Sequence, residues 1–454
     1  MKIHLVGIGG AGQSALAHLY LERGDSVTGS DAAASPLIEA LRQEGAQISI
    51  GQQAANLGAP DLVVVSTAIR EDNPELAAAR QRGLKVVRRG RAAADICAGH
   101  RTVAIAGTHG KTTTTTMAAA ALAHLDPLVL SGGRLPGSIF NSRPGRGRVA
   151  IVEADESDRS FLELQPEVGV VTNIEADHLD RYKDLAEIER AFEMFAARVS
   201  STVVACTDDA GARRLLAVAP GDVLGYGFES ADVQADEYFA DSGGCAFRVD
   251  TPWGRADVRL PVPGRHNARN ALGAIGAGLA LGVDLATMVG ALAEIALPGR
   301  RLELVVEAGG ARVYDDYGHH PTEVMATLNA ARELGRGPLV CIFQPHMYTR
   351  LRAFMADFAS ALAEADEVIL VPVYAARDEP IPGVDSDALA AAVRRAGPGT
   401  PVTVVGSVDE LPEVVLERLV PGAVVIFMGA GDINSASARL AVLAKQDLPM
   451  ASSS

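Results

Sequence analysis

No stretch of this 454-residue chain stays apolar for the roughly 18 residues that a membrane span requires. The opening Met1-Lys2-Ile3-His4-Leu5-Val6-Gly7 runs straight into a strand pattern. It lacks the charged, apolar and cleavage regions of a secretory signal, so residence in the cytoplasm is expected. Cysteine is scarce: Cys97, Cys206, Cys245 and Cys341 lie far apart with no paired spacing. Neither a disulfide framework nor a zinc site is suggested, and four core thiols in a reduced protein are expected. Positive charge is in deficit, the formal net charge being -15. A sequence-independent grip on nucleic acid, which depends on many Lys and Arg neutralising phosphates, is therefore not expected. An acidic protein that binds anions must use local devices such as helix N-termini, backbone nests and a few placed cations. Internal repeats and low-complexity segments are missing as well.

What remains is 48% hydrophobic and 21% charged, the balance of an ordinary soluble protein. The length exceeds what one core can fill and suggests about three domains. Short β-rich apolar runs alternate with Ala/Leu-rich helical stretches, the pattern of βα units around parallel sheets covered on both faces. An α/β chain of three domains is expected. The first, residues 1–97, is Rossmann-like, with strands Ile3–Ile8, Ser26–Ser30 and Leu62–Thr67 and helices after Gly10, Pro36 and Pro74. The second, 98–298, is a P-loop ATPase-type domain with a parallel sheet. Its strands are Arg101–Gly107, Val149–Ala154 and Val168–Ile174, with a helix from Lys111 and a small antiparallel appendage at about 223–262. Leu185, Ile188, Phe192, Phe195 and Val199 share one helical face there, which is expected to pack on that sheet. The third, 299–454, is a Rossmann-like α/β domain with strands near Val313 and over Leu339–Phe343, Glu367–Val373, Val402–Val405 and Val424–Met428. Met450–Ser454 reads as a frayed tail. Nothing in the sequence separates a monomer from a dimer.

Two loops are suited to phosphate. Gly107-Thr108-His109-Gly110-Lys111-Thr112-Thr113 sits between a buried strand and a helix. Its amides and helix N-terminus suit a polyphosphate, Lys111 the β and γ oxygens, and the Thr112 hydroxyl Mg²⁺. Two residues separate the first Gly from Gly-Lys, where the usual pattern has four. The other loop, Gly7-Ile8-Gly9-Gly10-Ala11-Gly12, follows the first strand, and Asp31 ends the next. This matches the dinucleotide fingerprint, with Asp31 placed for a ribose hydroxyl. Read alone it fits NAD; what it supports is a diphosphate on a helix N-terminus.

Carboxylates and imidazoles gather at the ends of other strands. Glu153-Ala154-Asp155-Glu156-Ser157-Asp158 closes one strand of the P-loop sheet, and Thr172-Asn173-Ile174-Glu175-Ala176-Asp177-His178-Leu179-Asp180 follows another. Hard Mg²⁺ prefers carboxylate and phosphate oxygens, so Glu153 beside Thr112 suits one ion and His178 completes a second site. Acidic turns are usually solvated and lone histidines structural; placement at strand ends on the P-loop sheet argues otherwise here. Gly264-Arg265-His266-Asn267-Ala268-Arg269-Asn270-Ala271 opens a helix whose amides suit a base edge. In the third domain, Asp315-Asp316-Tyr317-Gly318-His319-His320 and Gln344-Pro345-His346-Met347-Tyr348-Thr349-Arg350-Leu351-Arg352 each follow a strand. They offer a cationic pocket for a carboxylate. His4, His18, His100 and His124 have no such context and read as structural or surface residues.

In this order the motifs resemble the Mur ligase family over nearly the whole chain. The resemblance implies that UDP-N-acetylmuramate occupies the first domain, its diphosphate at Gly9, Gly10, Ala11 and Gly12, with Asp31, Asn173 and His320 also contacting substrate. It implies ATP on Gly107 to Thr113 with Asn267 and Asn270 near the adenine, Mg²⁺ on Thr112, Glu153 and His178, and L-alanine facing His346 and Arg350. Lys111, His178, His346 and Arg350 are the implied catalytic groups. The implied reaction is phosphorylation of the muramyl carboxylate, then attack of the amine on the acyl phosphate. One position departs from the alanine-adding pattern: where Arg usually follows the His of Gln-Pro-His, this chain has Met347.

Overall fold

A computed structural model describes residues 1–179 and 181–447. Asp180, the end of the second acidic motif, and the Met450–Ser454 tail lie outside the described residues. Among the described residues the strands form three sheets. The first is five parallel strands in the order Gln47–Ile50, Ser26–Asp31, Lys2–Val6, Leu62–Val65, Val86–Arg88. Its short edge strands Gln47–Ile50 and Val86–Arg88 are missing from the sequence reading. With burial patterns of only eiee and iie, they carry no apolar run that would announce them.

The second sheet has ten strands. At its centre Arg101–Ala106 lies between Val168–Val171 and Val149–Glu153, in parallel register with both. The chain winds outward to Leu128–Leu130 on one side and to Thr202–Cys206 on the other. The strand before the P-loop is therefore a topological switch point, where loops on both sides open at one edge. At the far edge Val233–Asp241, Gly244–Thr251 and Gly254–Leu260 are hydrogen-bonded neighbours joined by two-residue turns. Links this short require antiparallel hairpins. The helix Leu185–Ala196 is capped by Asp184, which accepts from Glu187 N. It buries Ile188, Phe192 and Phe195 as expected, but Leu185, in the first turn, is 36% exposed.

The third sheet has the order Glu303–Ala308, Ala311–Asp316, Val424–Met428, Leu339–Phe343, Glu367–Leu370, Val402–Val404. Its first pair is antiparallel and the rest are parallel. Two apolar layers cover it, one around Phe343, Phe358 and Leu389, the other around Phe427, Leu411 and Leu440. All four cysteines are buried and free. Among the described residues no helix is long and apolar enough to cross a membrane.

The chain packs as two compact units. One comprises Met1–Glu237, Phe247–Arg259 and Ala268–Pro298; the other comprises Tyr238–Ala246, Leu260–Asn267 and the chain from Gly299. The first sheet and the strands of the second from Arg101–Ala106 to Asp222–Gly227 thus share a unit. Within it Ser142 Oγ donates to Ala15 O at 3.0 Å, and the rings of His18 and Phe140 stack at 4.5 Å.

Candidate active site

The P-loop owes its shape to glycines and to the neighbouring strand end. Gly107 has φ +135°, and a Cβ there would overlap Thr172 Oγ1. Gly110, at φ +79°, precedes the helix Lys111–Ala121. Thr172 and Asn173 then pin the loop. Thr172 Oγ1 donates to His109 O at 2.5 Å, Asn173 Nδ2 donates to His109 O at 3.1 Å, and Asn173 Oδ1 accepts from His109 N at 2.8 Å. Asn173, expected to touch substrate, thus has its amide engaged with the loop. Thr108 Oγ1 accepts from Glu175 N at 2.9 Å, and Thr113 is buried on the helix. Thr114 Oγ1 donates to Asn270 Oδ1 at 3.2 Å, and Asn270 also stands against Gly110. Asn267 is buried and its Nδ2 donates to Pro263 O at 2.8 Å.

Lys111 folds back over the loop, its Nζ donating to Gly107 O at 2.6 Å and Thr108 O at 3.1 Å and pairing with Glu156 at 2.9 Å. Burial opposes its charge, but Glu156 and Asp155 outweigh that and hold the ammonium above its usual range. Thr112 Oγ1 donates to Glu153 Oε1 at 3.0 Å, and Gly132 N donates to Glu153 Oε2 at 2.6 Å. Burial raises the Glu153 carboxyl despite nearby Lys111. A hydroxyl–carboxylate pair of this kind is a hard-oxygen donor set that fits a divalent cation.

His178, in a left-handed backbone at φ +53°, places Nε2 3.6 Å from Glu156 Oε1 and 3.7 Å from Asp177 Oδ2. Burial disfavours its protonation, but Glu156 and Asp177 together raise its proton affinity. Glu156, only 2% exposed, therefore bridges Lys111 and His178. The sequence reading placed it in the acidic turn without a role, because spacing along a loop does not say which carboxylate turns inward.

The Gly7–Gly12 loop lies in the same unit. Gly7 has φ +77°, and Gly9 N donates to Asp31 Oδ2 at 2.8 Å. Asp31, expected at a ribose hydroxyl, braces the loop through that bond. Gly10 and Ala11 open the helix Ala11–Glu22, and a Cβ at Gly12 would sit 2.9 Å from Arg89 Cδ. Arg89 in turn lies 3.7 Å from Asp155 Oδ2 and 3.6 Å from Asp158 Oδ2. Gly12, Arg89, Ser131, Gly132, Glu153 and Asp155 line one cleft. Arg89 was missed; its Arg88-Arg89-Gly90-Arg91 context looks like a solvated basic turn.

The other unit carries the remaining candidates. Arg350 Nη1 donates to His346 Nδ1 at 3.3 Å; a guanidinium has no acceptor, so that nitrogen is unprotonated. The His346 ring stacks on Tyr374 at 5.6 Å and meets His319 edge-on at 5.8 Å. Burial, then His319, Arg350 and Arg377, lower its pKa from 6.5 to about 4, with Asp378 opposing. His320 caps the helix Pro321–Leu334 in a capping box with Glu323, a structural task beside its expected one.

Family models match along the chain: the Mur ligase family catalytic domain over residues 2–101, the Mur ligase middle domain over 105–278 and the Mur ligase glutamate ligase domain over 300–431. The UDP-N-acetylmuramate–L-alanine ligase of Saccharopolyspora erythraea is 46% identical over 95% of this chain and 91% of its own. The solved UDP-N-acetylmuramate–alanine ligase of Thermotoga maritima superposes with a TM-score of 0.82 at 32% identity, covering 98% of this chain and 99% of its own. A murein peptide ligase of Psychrobacter arcticus gives 0.68 at 28% identity, with 99% of each covered. On this evidence of sequence, fold and loop order together, the chain belongs to the Mur ligase family of ATP-dependent enzymes.

Proposed function

We propose that the protein joins L-alanine to the carboxylate of UDP-N-acetylmuramate at the expense of ATP, in the cytoplasmic synthesis of peptidoglycan precursors on which the cell wall, cell shape and division depend. The observation that carries this reading is the cleft between Gly12 and Glu153. It lets a sugar anchored by its diphosphate present a carboxylate beside the P-loop. Residues 1–97 serve the UDP-sugar, 98–298 the nucleotide and 299–454 the amino acid. The diphosphate rests on Gly9 to Gly12, the ATP phosphates on Gly107 to Thr113, and the adenine near Asn270 and Asn267.

A free carboxylate is a poor electrophile, so a carboxylate oxygen first attacks the γ-phosphorus, giving an acyl phosphate and ADP. The amine of L-alanine then attacks the acyl carbon and phosphate leaves. Lys111, released from Glu156 by the arriving phosphates, stabilises charge on the transferring group. Thr112 and Glu153 would hold one Mg²⁺ and His178 a second, which when bound would neutralise phosphate oxygens. His346 and Arg350 face the amino acid.

The test is phosphate release from ATP with UDP-N-acetylmuramate present, adding L-alanine, glycine, L-serine or a muramyl-type tripeptide separately. Release strongest with L-alanine is expected. Release with the tripeptide alone would reassign the substrate to a peptide, in line with the name of the murein peptide ligase of Psychrobacter arcticus.

A further inference from the structure

Met347 leaves a gap in charge: the position after His346 offers no cation, and its side chain is 8% exposed in a backbone at φ +69°. It therefore brings no charge to the start of the helix that carries Arg350. The neighbouring strand supplies a candidate. Leu339–Phe343 and Glu367–Leu370 are parallel partners, so the chain segments that follow them leave the sheet at the same edge. Those segments are tied together at two points. At the first, His346 and Tyr374 form a parallel bridge in which Tyr374 N donates to Pro345 O at 2.8 Å and Met347 N donates to Tyr374 O at 2.9 Å. At the second, Asp378 Oδ2 accepts from Thr349 N at 2.9 Å and from Thr349 Oγ1 at 2.6 Å. Between these ties the chain turns tightly, Asp378 N donating to Ala375 O at 2.8 Å with Ala376 at φ +53°.

Arg377 sits in this turn, exposed, between two fixed points that flank the start of the helix Tyr348–Ala353, which carries Arg350. We propose that Arg377 supplies the cation that Met347 does not, and that with Arg350 it holds the carboxylate of the incoming amino acid. The proposal rests on the ligase reading above. A carboxylate has two oxygens in one plane, which a guanidinium fork matches and which two guanidinium groups share without competing for the same lone pairs. The charge of Arg377 already reaches the site, since it is one of the cations that depress the proton affinity of His346.

The experiment compares the full-length protein with Arg377→Ala, Arg377→Lys and the double substitution Arg377→Ala with Met347→Arg. Phosphate release is followed against L-alanine, ATP and UDP-N-acetylmuramate in turn. Arg377→Ala is expected to raise KM for L-alanine by about tenfold or more, the scale of one charge-assisted contact, while kcat and the other two KM values move by less than about threefold. Arg377→Lys should fall between, and Met347→Arg should recover part of the loss. A KM for L-alanine within twofold of the parent, or an equal decline for all three substrates, overturns the proposal. Failure of the underlying reading looks different: the unsubstituted protein would then release no phosphate with L-alanine at any concentration.

Discussion

At Lys111, one ammonium meets two loop carbonyls and a buried carboxylate, so it is charged and positioned before any substrate arrives. Lys111→Ala removes that donor and is expected to lower turnover by about a hundredfold or more. Phosphate-release rates measure this, and near-normal turnover would end the P-loop assignment. His178→Ala is expected to shift the curve of activity against Mg²⁺ to higher concentration; an unchanged curve would remove His178 from the metal site. His346 yields a pH prediction. Its pKa is about 4 in the folded chain and 6.5 as the ordinary value, so the unfolded chain takes up the proton first on acidification. Its contribution to stability is full above about 6.5 and is lost as pH falls toward about 4. Denaturant unfolding of the parent and His346→Gln across that window is the check. The substituted chain should lose less stability on acidification, and equal slopes would contradict the neutral imidazole. The glycine-rich loop and the histidine pair were legible at this scale as motifs, because each directly follows an apolar strand run. Glu156 and Arg89 were not, since their partners lie on other segments of the chain: Lys111 and His178 for one, and Asp155 and Asp158 for the other.

Elements carry the positioning. The P-loop strand takes its place between Val149–Glu153 and Val168–Val171 from its buried apolar run, and the acidic turns then fall on either side of Lys111. Gly107 is the tightest point of that arrangement. Gly107→Ala forces a positive-φ backbone on an alanine and drives its Cβ into Thr172, whose backbone N would lie 2.9 Å away. Titration with an ATP analogue is expected to show affinity at least tenfold weaker, with far-ultraviolet circular dichroism unchanged; undiminished binding would show that the loop tolerates the shift. Asp184→Ala removes the cap of Leu185–Ala196 and is expected to lower stability by about 1 kcal/mol without changing turnover. Central strands were readable because their runs are apolar throughout. Edge strands such as Gln47–Ile50 and Val86–Arg88 were not, since one neighbour and partial exposure demand little of their side chains.

The whole molecule combines acidity with two separately packed units. Each unit has its own apolar clusters, those around Val6 and Val63 in one and around Phe343 and Phe427 in the other. Calorimetric unfolding is therefore expected to depart from a two-state transition, with an ATP analogue at about 100 times its Kd stabilising the P-loop unit by about 2.7 kcal/mol. A single transition with equal calorimetric and van't Hoff enthalpies would show the units to be one cooperative body.

The sequence by itself determined the α/β class, the two glycine-rich loops, their order and the family, because glycines at fixed offsets and apolar runs are local demands of backbone and burial. Only the tertiary structure decided which acidic residue answers Lys111, that Asp31 and Asn173 brace loops, that the cleft joins Gly12 to Glu153, and that the turn carrying Arg377 is tied to Thr349. Each of these is a meeting of segments distant along the chain, set by strand order and parallel register, which no local pattern of residues encodes.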